Sequence, residues 1–150
     1  MKKKYENPEF VSGKISVDDR GSVVFFNEFD MSGIRRFYQV SNHQSEFVRA
    51  WHGHENESKY LFVARGVAIV AVVKVQDWQT PDPEARIERY ILSDTKPGVL
   101  CIPGGYAHGY KTLTPNTTLQ FFSTATLEES MGDDYRFDAY YWNAWDVTER

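Results

Sequence analysis

One cysteine, three methionines and six prolines are all that the 150 residues hold of these types. A single thiol excludes an intrachain disulfide framework and suits a reducing compartment. Cys101 sits in the apolar run VLCIP, where a small core residue is expected rather than a nucleophile. Basic excess is missing too. Lys and Arg number 17 against 21 Asp and Glu, a formal charge of −4, so no basic stripe marks a nucleic-acid footprint. No apolar run approaches the roughly 18 residues of a membrane-spanning helix. The start MKKKYENPEF has charges with no apolar run behind them, so it does not read as a secretory signal. A cytoplasmic protein with neither nucleic acid nor membrane as partner is expected.

Helical periodicity is scarce, and strand signals fill its place. SVVFF (22–26), IRRFYQV (34–40) and VLCI (99–102) are rich in β-formers, and RIERYIL (86–92) alternates as a half-buried strand does. KYLFVA (59–64) and VAIVAVVKV (67–75), broken at Arg65-Gly66, read as a hairpin. YKTL (110–113) and TLQFFST (118–124), joined by TPN (114–116), read as a second one. The acidic, aromatic end, residues 127–150, is expected to cap the body as loops or short turns, peripheral like residues 1–15. The length fits one domain. Strands at regular spacing indicate an all-β sandwich or barrel with few or no helices, and two similar halves, each a histidine-bearing segment followed by a hairpin, suit a double Greek-key jelly roll. Aromatic residues, at 15%, are in excess, which serves both pleated packing and a pocket with flat apolar walls.

Three of the four histidines fall in two short motifs. The stretch RAWHGHENESKYLFVARG carries His52 and His54, which strand alternation turns to one face, and then Lys59 and Gly66. The stretch IPGGYAHGY delivers His108 after a Pro-Gly-Gly turn. Only His43 lies outside them. These spacings resemble the two cupin motifs, HxH-x(3,4)-E-x(6)-G and PxG-xx-H, which implies an all-β double-stranded β-helix, the cupin jelly roll. Lys59 occupies the motif's glutamate position. An ammonium beside a divalent ion lowers its affinity, so no metal and no cofactor are expected, although Glu55 or Glu57 offers a substitute ligand for a metal-binding alternative. A histidine can serve instead as general base near neutral pH, and a lysine can stabilise an enolate oxygen. That pairing suits proton abstraction next to a ketone.

From about residue 18 to 145 the chain resembles the sugar-nucleotide cupins, in particular the dTDP-4-dehydrorhamnose 3,5-epimerase family. The matching pieces are DDRGSVVFF, RAWHGH, SKYLF…G, IPGGYAHGY and RFDAYYWNAW. The resemblance implies an isomerase or epimerase of a nucleotide-linked 4-keto-6-deoxy sugar in deoxysugar or cell-surface polysaccharide biosynthesis, acting as a homodimer. It implies a base at His52, oxyanion stabilisation at Lys59, a buried His108 near the sugar, Arg20 and Arg49 on the diphosphate or sugar, and Gln39 near the nucleotide base. The family's catalytic tyrosine falls at Phe121, which cannot donate a proton. The chain also ends soon after Trp145, before the aspartate that polarises the family's base. Tyr106, Tyr110, Tyr60 and Tyr38 are the neighbouring hydroxyls, and the sequence selects none of them as the acid; Tyr106, Tyr110 and Phe121 are expected to contact the substrate. The pair His52 and His54 in RAWHGH is also similar to the RGxHAH pattern of the dTDP-sugar 3,4-ketoisomerases, in which the two histidines shuttle protons between adjacent sugar carbons. A cupin that binds sugar without turnover is a further alternative, with Phe121 as its support.

Overall fold

The computed structural model describes residues 4–150; residues 1–3, the basic opening of the segment read as non-secretory, lie outside the described residues. The strands are β1 (Glu9–Ser12), β2 (Lys14–Asp18), β3 (Gly21–Phe25), β4 (Arg36–Ser41), β5 (Val48–His54), β6 (Lys59–Arg65), β7 (Val67–Lys74), β8 (Ile87–Ser93), β9 (Gly98–Ile102), β10 (Tyr106–Thr112), β11 (Thr118–Ser123) and β12 (Tyr135–Arg136). One short helix, α1 (Leu127–Met131), is closed at its start by a capping box between Thr126 and Glu129. Among the described residues no helix is long and apolar enough to cross a membrane.

The all-β expectation agrees with this architecture, and its hairpins do not. Two five-stranded antiparallel sheets form, in the orders β1-β9-β6-β11-β4 and β12-β5-β10-β7-β8, beside a separate β2-β3 ribbon. β6 and β7 belong to different sheets, and so do β10 and β11. The turns at Arg65-Gly66 and 114–116 therefore carry the chain between sheets. Gly66 takes φ +90°, and its amide and that of Val67 bond to the side chains of Asp94 and Thr114. A strand pattern with a turn in it is the same for a hairpin and for a corner, so the pairing was not legible.

Burial explains the composition. Between the sheets lie Leu61, Val63, Val70, Val72, Leu100 and Leu119. β7 is buried on both faces, because Ile69, Ala71 and Val73 pack outward beneath Trp51, Trp142 and Trp145. Such double burial produces an unbroken apolar run instead of alternation. The C-terminal segment expected to be peripheral thus covers the outer face of one sheet. Trp51 meets Trp142 edge-on at 5.3 Å, and β12 pairs with β5 through Tyr135↔Gly53 and Arg136↔His52. Near the other terminus, β1 forms an edge strand against β9. Cys101 is fully buried in a third cluster with Tyr60 and Phe29, and burial raises its thiol to about 11, which fits a packing role.

Candidate active site

The space between the two sheets opens into a cavity of about 590 Å³. Its histidine wall comes from β5 and β10, which pair through His108↔His52 and Tyr106↔His54. A bulge between His108 and Tyr110 then sets Arg49 opposite Tyr110. Directly opposed residues share a face, so the bulge brings Arg49 onto the cavity side although it is three residues from His52. Gly109 permits this close approach, since a Cβ there would lie 2.4 Å from that of Ala50. The ring of His108 lies 6.1 Å from that of His52 and 5.8 Å from that of His54.

The facing wall comes from β4, β6 and β11. Alternation along β4 turns Arg36, Tyr38 and Val40 inward and leaves Phe37, Gln39 and Ser41 exposed. Lys59, 4% exposed, donates to Glu57 Oε1 at 2.7 Å and to the Tyr38 hydroxyl at 3.0 Å. Glu57 Oε1 also accepts from Arg36 at 3.2 Å and from the Ser123 hydroxyl at 2.5 Å. The ring of Tyr38 stacks on that of Phe121, its cross-strand partner, at 5.1 Å and 3°. Tyr110 packs against Phe121 from the histidine wall, its ring 5.6 Å away.

The 55–57 loop is tied to the C-terminal segment. Asp133 accepts from the amides of Glu55, Asn56 and Glu57 at 2.8, 2.9 and 2.9 Å, and its carbonyl oxygen lies 2.6 Å from His54 Nδ1. A carbonyl oxygen can only accept, so His54 Nδ1 carries hydrogen and Nε2 is the ring nitrogen left to accept. Glu57 Oε2, 3.3 Å from His54 Nδ1, is buried without a hydrogen-bond partner among the described residues.

Burial sets the protonation states. It lowers His52 to about 4, with Arg136 adding to the effect and Asp134 opposing it. It drives His108 well below the ordinary histidine range, helped by the charges His54 and His52 would carry. These two histidines are therefore neutral, proton-accepting groups at pH 7. Burial also pulls Lys59 below the usual lysine range, against the Glu57 hydrogen bond that favours its charge. For Glu57, burial opposes ionisation, but hydrogen bonds from Lys59 and Ser123 outweigh it and hold the carboxyl below its usual value. Burial raises Tyr38 to about 12 and raises Tyr110 as well.

Of the residues singled out from sequence, His52, His54, His108, Lys59, Arg49, Tyr110 and Phe121 line the cavity. Gln39, Tyr106 and Arg20 do not. Gln39 falls on the outer face of β4 because its neighbour Tyr38 faces in. The Tyr106 hydroxyl donates to Asn7, outside the cavity. Arg20 is bound to Asp18 at 2.6 Å, with its side chain 86% exposed on the β2-β3 turn. Glu57, considered from sequence only as a substitute metal ligand, proves to be the acceptor at the centre of the lysine wall. Arg36 and Arg136 also line the cavity without having been expected there. Period-two alternation around Tyr38 was a signal for Arg36; no sequence pattern marked Arg136. Among the described residues, no three His, Cys, Asp or Glu side chains are grouped to hold a metal ion.

Comparison with known proteins places this geometry. The spore coat polysaccharide biosynthesis protein SpsL of Bacillus subtilis (strain 168) is 29% identical over 123 residues, 79% of this chain and 80% of that protein. The dTDP-4-dehydrorhamnose 3,5-epimerase of Bacillus anthracis, solved with TDP and PPi bound, superposes with a TM-score of 0.76 at 19% identity, covering 99% of this chain and 90% of that one. QdtA, a sugar 3,4-ketoisomerase of Thermoanaerobacterium thermosaccharolyticum solved in complex with TDP, superposes with a TM-score of 0.66 at 19% identity, covering 91% of this chain and 92% of that one. Both likenesses establish the cupin jelly roll. The family model described as dTDP-4-dehydrorhamnose 3,5-epimerase matches residues 6–140, and the chain belongs to that family.

Proposed function

We propose that the protein isomerises or epimerises a nucleotide-linked 4-keto-6-deoxy sugar by removing a proton next to the ketone, for deoxysugar or polysaccharide synthesis. The observation that carries this is one cavity with His52 and His108, both neutral at pH 7, on one wall and Lys59 on the wall that faces it. His52, neutral well below pH 7, takes the proton as general base. The electron pair moves to the ketone oxygen, where Lys59 stabilises the developing charge. Lys59 spends two donor directions on Glu57 and Tyr38, and an ammonium has three. His108, buried beside both other histidines, contacts the sugar, and Arg49 at the rim binds the diphosphate. The reaction needs no cofactor, and its place is the cytoplasm.

A homodimer completes the proposal. The β2-β3 ribbon joins neither large sheet and exposes Ile15, Val17 and Val24, while β4 ends its sheet with an open edge beside exposed Phe37. Open edges and apolar ribbons are surfaces that a second copy covers. That pairing is the route by which Arg20 reaches a substrate, since it does not line its own chain's cavity.

The test is incubation with dTDP- and GDP-linked 4-keto-6-deoxyhexoses in D2O, followed by NMR and mass spectrometry. Wild-type protein is expected to incorporate deuterium beside the ketone, and His52→Asn to lose at least about 100-fold of that rate. Wild-type protein that exchanges nothing with any of these sugars would sink the reading. A second reading, 3,4-ketoisomerisation, is favoured by His54, whose accepting Nε2 shares the histidine wall with His52. A 3-keto product in the same spectra selects it.

A further inference from the structure

Inversion at a carbon requires more than a base. A planar enolate that gets its proton back on the face that lost it has the starting configuration, so inversion needs a donor on the opposite face. Two tyrosines line the cavity, Tyr110 and Tyr38. Tyr110 stands on β10, in the sheet that carries His52, and so approaches a bound ring from the base's side. Tyr38 stands on β4, in the facing sheet. Tyr60 is excluded because its ring packs outside this space against Tyr5 and Phe29, and Tyr106 because its hydroxyl is given to Asn7.

The surroundings of Tyr38 suit a donor. Lys59 donates to the phenolic oxygen at 3.0 Å, so one lone pair is engaged while the O–H hydrogen has no acceptor among the described residues. Stacking on Phe121 and the Arg36 guanidinium 5.3 Å from the ring fix its orientation. Burial raises the phenol to about 12, which keeps it protonated through the neutral range. Arg36, on the same wall, is too weak an acid for the step.

We infer that Tyr38 is the general acid that protonates the substrate carbon on the face opposite His52. This rests on the isomerase reading above. In the first step the C–H bond breaks, the proton joins a His52 ring nitrogen, and the electron pair becomes an enolate. In the second, the Tyr38 O–H bond breaks, its proton bonds the same carbon from the other side, and the enolate pair restores the ketone. Tyr38 is left as a phenolate beside the Lys59 ammonium, and His52 as an imidazolium. Proton exchange with water in the cavity resets both. Tyr38 is the cross-strand partner of Phe121, its ring 5.1 Å away, and Phe121 is where the family resemblance places its tyrosine.

The experiment separates exchange from inversion. With a substrate that the wild-type protein epimerises in D2O, Tyr38→Phe is expected to keep exchanging deuterium at that carbon while inversion falls at least about 100-fold. Tyr110→Phe, which removes a cavity hydroxyl on the base's side, is expected to change exchange and inversion by the same factor. Wild-type protein that shows no exchange removes the isomerase reading and this assignment with it. Wild-type exchange together with undiminished inversion in Tyr38→Phe overturns the assignment alone. So does a folded Tyr38→Phe protein that loses exchange and inversion together, because the hydroxyl would then be serving abstraction. Where Tyr38→Phe does not fold, Tyr38→Phe with Phe121→Tyr keeps the stacked pair and one hydroxyl. Continued exchange in that protein supports the assignment, and joint loss from a folded double variant overturns it.

Discussion

Glu57 is the residue on which the lysine wall depends, with its side chain 1% exposed and Lys59, Arg36 and Ser123 all bonded to one oxygen. Removing it leaves two cations near each other without the carboxylate that bonds both, and breaking a buried ion pair from one side is among the costlier substitutions. Glu57→Ala is expected to destabilise the fold by about 3–5 kcal/mol, seen in a urea melt, and to push Lys59 further towards its neutral form. A loss below about 1 kcal/mol would mean that solvent reaches the pair and screens it. The histidines make a second prediction. Burial lowers His52 to about 4 in the fold from the ordinary histidine value of 6.5, so the unfolded chain binds more protons between those values. Stability from this group is therefore complete above 6.5 and is lost as pH falls towards 4, with His108 acting in the same direction. The acid limb of kcat/KM should lie nearer 4 than 6.5, and a limb at 6.5 would show His52 solvated. The histidines and Lys59 were legible because chemistry-bearing residue types stood at motif spacing. Glu57 was visible only as a spare metal ligand and not as the acceptor for Lys59, because ENES reads as an ordinary polar loop and only the fold turns its carboxylate inward.

At the scale of elements, most strands could be read and their partners could not. β7 shows why: double burial made its run unmistakable, yet a run buried on both faces gives no sign of which strand lies beside it. The C-terminal segment was unreadable for another reason. Its aromatics follow no period, since Trp142 and Trp145 seal a sheet face from irregular backbone, each with its indole nitrogen donating to a carbonyl. The same segment supplies Asp133, whose carboxylate accepts from three successive amides of the loop that presents His54 and Glu57. Asp133→Ala is expected to cost about 1–3 kcal/mol and to lower the melting temperature by roughly 3–8 °C. Asp133→Asn, which keeps an acceptor, should recover part of that loss. Equal losses in both variants would assign the effect to charge and not to amide capping.

For the whole molecule, several features left without a role within one chain lie on the β2-β3 ribbon, which joins neither large sheet. Ile15, Val17 and Val24 share one face of the β2-β3 ribbon, because Ile15 pairs with Val24 and Val17 stands two residues along. Arg20 projects from the same ribbon, exposed, and does not line its own chain's cavity. A second copy that covers this face would bury the apolar residues and bring in an arginine for an anionic substrate. Sedimentation is then expected to give twice the 17.4 kDa chain mass. Val17→Asp sets a charge into the contact and should weaken dimerisation at least about tenfold, since an unpaired buried charge must be solvated or neutralised. Arg20→Ala should leave the mass unchanged and raise KM roughly tenfold, the loss of one charged hydrogen bond of about 1.5–3 kcal/mol. The two variants report on different links, the contact and the residue it delivers. A monomeric wild-type protein with full exchange activity would show that the cavity works with the residues of one chain, and Arg49 and Arg36 would then carry the diphosphate alone.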